Sequence, residues 1–432
     1  MLIENIKLIF KKRTIGQAAY VYAGSVINGL SLFALNIVLA RFLTQEHFAI
    51  FSLSVLVLST VAEMSDFGLN GGLLRFAPYY IATNQASKLN QLVKIIWQWR
   101  LSLSVFLTIG CLLFAGPLSL YIFNQPQVRD YFAFAAFGIG GIIMLGFLAT
   151  FLQSQQRFFY NASLQSLKGV LRLLLVLGLA LFGIKNIYIY LAIYICVPWI
   201  LFLMHYKVLP KDFRKTVINN DEKSALHAQL AKFSFWLTVA SFTSIIAARV
   251  DQIMISRLLT LADVAMYTVA YQLIQFFPLI YSSIASVLTP KISALSDKAQ
   301  LAGFVKKTFI WTSSLTVIVA LFIYPSQYLI NILFGAKYAQ AMPVYLVLAY
   351  SLILNILAIP FSLTINVFNR TYLVALAGIF QIILSVVGNL ILIPAYGVMG
   401  AAYTFALGIA ASLLYSTICA IFLIKRTEVR IN

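Results

Sequence analysis

Arg249 and Asp251 stand two positions apart in an apolar stretch, 233–256, that holds no other charged residue. A charge near the middle of a membrane helix costs roughly 2.5–3.5 kcal/mol on insertion scales, so such residues mark a path for ions or cargo or else pair with one another. At i and i+2 on a helix the two side chains point to different faces and do not neutralise each other directly. Two readings stay open. Arg249 binds an anionic group and Asp251 a coupling proton or Na⁺, or each pairs with a charge on a neighbouring helix and locks the bundle.

Further candidates lie near the ends of other apolar stretches. Glu63 and Asp66 are three apart and share a helix face, where they could bind a proton or Na⁺; alternatively they answer Arg75 or an arginine on the fifth span. Lys168 and Arg172 share a face at i,i+4, and Arg100 opens the third span in the same way. With Arg75 they form a set of candidate anion ligands on the amino-terminal side of the membrane, and guanidinium groups suit phosphate oxygens. Snorkelling to lipid headgroups explains the same placements. His47, His205 and His227 are far apart, and no Asp-x-Asp pair occurs, so the chain offers no catalytic set and no metal site. Cys111, Cys196 and Cys419 fall in apolar runs and read as small hydrophobes.

The elements that position these residues are membrane helices. The 432 residues are 62% hydrophobic and 10% charged, with a mean hydropathy of +0.93; soluble chains carry about a quarter charged residues. Hydropathy places about twelve spans, at 15–40, 47–68, 95–116, 130–152, 169–184, 187–206, 233–256, 264–288, 308–331, 342–365, 372–393 and 398–424. Stretches such as Leu101–Phe123 and Thr308–Leu333 hold no charged residue, and each is long enough to cross about 30 Å of hydrocarbon at 1.5 Å per residue. No period-two alternation runs through them, which excludes a β-barrel. The first apolar run is too long for a signal peptide and is expected to stay as a span.

A net charge of +19 suggests nucleic acid until it is mapped onto the spans. Lys and Arg crowd into the amino-terminal segment, the turns around 75–100, 157–172, 207–232 and 291–307, and the carboxy-terminal end. On the opposite side fall Arg41, Arg129, Lys185, Arg257 and Lys337. The asymmetry is the positive-inside pattern of a multi-pass protein with both termini cytoplasmic, so membrane lipids and not nucleic acid are the partners. The polar stretch 207–232 divides the chain into lobes at 1–206 and 233–432. Each lobe is expected to hold six helices, and the lobes echo one another: Arg41-Phe-Leu43-Thr44 returns as Arg257-Leu-Leu259-Thr260, offset by half the chain. Duplicated bundles of this kind build transporters with a central site.

The segments Ala40-Arg41-Phe-Leu43 with Phe51 and Asp66-Phe67-Gly68-Leu69, then Asp251 to Arg257 with Tyr267 and Pro290-Lys291-Ile-Ser293, then Pro394-Ala-Tyr396-Gly397-Val-Met-Gly400-Ala401-Ala402, carry a resemblance. In order and spacing they resemble the polysaccharide-transport family, the lipid-linked oligosaccharide and O-antigen flippases within the multidrug/oligosaccharidyl-lipid/polysaccharide exporter superfamily. The resemblance spans essentially the whole chain. It implies an all-α integral membrane fold of two pseudo-symmetric six-helix lobes, V-shaped as in multidrug exporters. It further implies movement of an undecaprenyl-pyrophosphate-linked sugar repeat unit to the outer leaflet of a bacterial inner membrane, alongside a polysaccharide polymerase and chain-length machinery. Arg249 or the basic rim would then meet the pyrophosphate or acidic sugars, and Asn28, Asn36, Asn355, Asn366, Gln381 and Asn389 would meet sugar hydroxyls or hold helices together. No cofactor is expected beyond a coupling proton or Na⁺. An ion-coupled drug or metabolite exporter on the same fold is the alternative, and a membrane-embedded polymerase or transferase a weaker one.

Overall fold

The computed structural model of the protein describes residues 2–210, 213–214, 238, 241–275, 277–293, 295, 298–368 and 371–426. Most of the polar stretch 207–232 lies outside these residues, with His227 and Arg370, and the side chains of Lys7 to Arg13 and of Asn366 are likewise outside them. Among the described residues every regular element is helical. They are α1 (Leu2–Phe42), α2 (Gln45–Met64), α3 (Leu69–Ala82), α4 (Ala86–Pro117), α5 (Arg129–Ser154), α6 (Phe158–Leu181), α7 (Ile187–His205), α8 (241–258), α9 (Leu261–Ile274), α10 (Phe277–Ser293), α11 (Lys298–Ser326), α12 (Leu329–Phe334), α13 (Ala341–Val367), α14 (Thr371–Tyr396) and α15 (Val398–Arg426). Ten of the described helices are long and apolar enough to cross a membrane. The chain is thus a multi-pass, all-helical membrane protein.

The chain divides into two compact units, Met1–Ile245 and Ile246–Asn432. In the first, α5 lies at the centre: α2, α3, α4 and α7 all pack on it. Its Gly140 and Gly141 face Trp199 of α7, and an added Cβ would come within 2.7 and 2.8 Å of the indole. The indole Nε1 donates to the Phe137 carbonyl at 3.1 Å, so small residues and one hydrogen bond fix the α5–α7 contact. In the second unit α13 is the hub, packed by α9, α10, α11 and α15.

Helix ends follow from capping chemistry. Thr44 and Thr260, the duplicated threonines, both cap: Thr44 Oγ1 accepts from His47 N, and Thr260 forms a reciprocal box with Asp263. Arg41 lies in the last turn of α1, where a cation meets the negative end of the helix. The hairpin at 394–402 forms with Gly397 at φ 59° as its turn. α14 continues two residues past Pro394, because the ring loses only one ladder hydrogen bond near the end of the helix. The described residues of the span expected at 264–288 fall in two helices, α9 and α10. Pro278 stands at the second residue of α10, in the first turn where a proline is tolerated.

Candidate functional site

In the first unit, the turn between α2 and α3 determines where a carboxylate sits. Phe67 and Gly68 both have positive φ, 42° and 68°, and this tight reversal aims Asp66 back over the start of α3. Its Oδ1 accepts from Asn70 N at 3.2 Å. The same oxygen forms an ion pair with the Arg100 guanidinium of α4. Arg100 also donates to Asn70 Oδ1 at 2.9 Å and to the Ser65 carbonyl at 3.4 Å, and Thr150 of α5 donates to Asn70 Oδ1 at 3.0 Å. Arg100 is only 3% exposed, and its Nε has no hydrogen-bond partner. A desolvated guanidinium holds its geometry through such partners and keeps its charge throughout.

This cluster borders a cavity of about 580 Å³ in the first unit. Glu63, Asp66, Asn70 and Arg100 contribute its charged and amide wall; Ile142, Ile143 and Gly146 of α5 form an apolar wall, with Ser241 and Ser244 beyond. Glu63 is exposed on α2. The pair Glu63/Asp66 therefore does share a cavity, and the arginine that answers Asp66 is Arg100 rather than Arg75 or an arginine of the fifth span.

The remaining basic candidates lie elsewhere. Arg172 of α6 is buried, with its guanidinium 4.1 Å from the ring centroid of Tyr194 on α7 and a hydrogen bond of 3.0 Å to the Tyr194 carbonyl. Phe51 of α2 braces that ring edge-on at 5.3 Å. The arginine thus turns into a helix interface instead of reaching for headgroups. Lys168, one turn earlier, donates to Gln165 at 2.8 Å. Arg75 is exposed on α3, 5.6 Å from the Phe76 ring.

In the second unit, Asp251 of α8 is 8% exposed and its oxygens receive three neutral donors: Tyr267 Oη at 3.1 Å, Ser385 Oγ at 3.0 Å and Asn389 Nδ2 at 2.8 Å. Asn389 is wholly buried, and its Oδ1 has no partner. Arg249 is half-buried two residues earlier on the same helix. No cluster of three or more His, Cys, Asp or Glu able to hold a metal ion occurs among the described residues. Asn70, Thr150, Tyr194, Tyr267 and Ser385 were not legible as site residues, because an uncharged side chain in an apolar run gives no signal until its partner is known. The one hint was position: Asn70 follows Asp66 by one helical turn.

The fold is that of a multi-pass helical membrane protein with buried charges, and comparison with known proteins narrows it. The chain belongs to the polysaccharide biosynthesis protein family, whose profile matches residues 16–296. It is 28% identical over 187 residues, 42% of this chain and 40% of the relative, to a protein of Haloferax volcanii named as a probable low-salt glycan biosynthesis flippase. Its fold is similar to an inward-facing multidrug resistance MATE family transporter of the MOP superfamily, at a TM-score of 0.72 and 14% identity over 94% of this chain and 98% of the other. It is also similar to the lipid II flippase MurJ in an inward closed conformation, at a TM-score of 0.71 and 16% identity over 94% of this chain and 87% of the other.

Proposed function

We propose that this chain is a flippase that moves a polyprenyl-pyrophosphate-linked oligosaccharide between membrane leaflets by alternating access. In a bacterial cytoplasmic membrane the carrier would be undecaprenyl pyrophosphate and the product a surface polysaccharide such as O-antigen or capsule, handed on to a polymerase. Family membership and the flippase name of the Haloferax relative support the reading. The observation that carries it is Arg100, a buried guanidinium at the edge of a 580 Å³ cavity.

A lipid-linked sugar presents an anionic, polar head to hydrocarbon, and its passage needs a cation within a polar cavity. With no cargo, Asp66 neutralises Arg100. A pyrophosphate brings more charge and more acceptor oxygens than one carboxylate and displaces Asp66 at the guanidinium. The released carboxylate then takes a proton or Na⁺, with Glu63 on the same wall. That exchange links cargo entry to cation uptake. Asp251 provides a second coupling carboxylate in the other unit, with Asn389 Oδ1 as a neighbouring oxygen.

The test is flipping of a fluorescent lipid-linked oligosaccharide in proteoliposomes. Arg100→Ala is expected to slow it about tenfold or more, since charged hydrogen bonds contribute roughly 1.5–3 kcal/mol, with Arg100→Lys intermediate. Wild-type flipping by a well-folded Arg100→Ala protein removes the role given to Arg100; no flipping by the wild-type protein sinks the flippase reading, and export of a cationic drug in its place supports the drug-exporter alternative.

A further inference from the structure

Four polar side chains face one cavity in the second unit, and among the described residues no hydrogen bond reaches any of them. The cavity, about 260 Å³, is bounded by α10, α13 and α15, and Phe277, Tyr281, Asn355, Ser362 and Ser412 contribute to its lining. Hydroxyls elsewhere on the same helices bond to carbonyls of their own helix: Ser351 to Val347 and Thr364 to Pro360 on α13, Ser416 and Thr417 to Leu413 on α15. Ser362 and Ser412 make no such bond, and neither the Tyr281 hydroxyl nor the Asn355 amide is taken up by a neighbour. Asn355 lies near the middle of α13 and Ser412 near the middle of α15, so lipid headgroups are distant. All four are half-buried. Four polar side chains around one space offer their donors and acceptors to a polar guest.

The lining specifies the guest. Among the described residues no charged side chain borders the cavity, so a phosphate or carboxylate would meet no opposite charge there. Three hydroxyls that donate and accept, with an amide that does both, match a ligand rich in hydroxyls. Phe277 and Tyr281 are one turn apart on α10 and place two rings on the same helix face. Aromatic rings beside hydroxyl and amide partners suit a molecule with an apolar C–H face and a polar rim. The volume lies just below the roughly 300–1,000 Å³ of pockets for drug-sized ligands, enough for one ring and not for a repeat unit.

We propose that this cavity is a subsite for a single neutral pyranose ring, held by Asn355, Ser362, Ser412 and Tyr281. It rests on the flippase reading, because the sugar would be part of the cargo head, and it assigns part of the cargo's specificity to the second unit.

The test uses the full chain in phosphatidylcholine nanodiscs and saturation-transfer NMR. The probes are methyl glucoside, methyl galactoside, methyl mannoside and N-acetylglucosamine, with glucuronate, inorganic phosphate and glycerol as comparators. At least one neutral sugar is expected to show transfer that falls fivefold or more in Asn355→Leu and in Ser412→Ala, with no variant-dependent signal from the comparators. Ser412→Ala, the milder change, serves if Asn355→Leu does not fold. Absence of transfer from every neutral sugar, or transfer untouched by both substitutions, overturns the proposal. Equal transfer from glycerol also overturns it and points to a lipid headgroup. Flipping by the wild type with no sugar signal removes the subsite alone; sugar binding with no flipping removes the flippase reading alone.

Discussion

At the scale of single residues, two buried charges solve the same problem in different ways. Arg100 is answered by a full negative charge from Asp66, together with amide and carbonyl oxygens. Asp251 is answered by three neutral donors. An ion pair inside a low-dielectric interior is stable while both partners remain, and removing one leaves a charge uncompensated. A carboxylate held by neutral hydrogen bonds keeps capacity to take on a cation, which is the property a coupling site requires. Replacing Asp251 with Asn preserves size and most hydrogen bonding but removes the charge. Flipping by Asp251→Asn is expected to lose its response to imposed pH and Na⁺ gradients while retaining a basal rate. A wild-type response to both gradients would rule out coupling through this residue.

At the scale of elements, close helix contacts are carried by glycine. The sequence 394–402 was legible as a hairpin because proline, glycine and small residues are spaced as a turn demands. Its tightness was not legible. A Cβ on Gly400 would lie 2.0 Å from the Leu392 carbonyl oxygen, a backbone atom that cannot swing aside. Gly400→Ala is therefore expected to force α14 and α15 apart and to lower the melting temperature of the purified protein by several degrees, in line with a loss of about 1–3 kcal/mol from overpacking. Gly110→Ala is the control, since nothing lies within 4 Å of its added Cβ. Equal melting temperatures for the two variants would refute the steric account.

At the scale of the whole molecule, the charge distribution sets orientation. The basic residues favour one side of the membrane so strongly that both ends of the chain are expected in the cytoplasm. Carboxy-terminal fusions to green fluorescent protein should then fluoresce, and fusions to alkaline phosphatase should stay inactive. An active phosphatase fusion would invert the assignment, and with it the side from which cargo enters the Arg100 cavity.

The sequence by itself determined the solvent, the secondary structure and the family. Composition excludes water, hydrocarbon leaves helices or a barrel, and periodicity removes the barrel. All of these are local properties, read within one turn or one span. Tertiary structure alone decided partnership. Asp66 meets Arg100 across 34 residues, and Asp251 meets Asn389 across 138. Arg172, equal to Arg100 as a candidate on paper, is instead laid against Tyr194. Which buried charge faces a cavity and which faces a ring depends on how helices are rotated against one another. That rotation is set by apolar packing spread over many residues, which no short motif encodes.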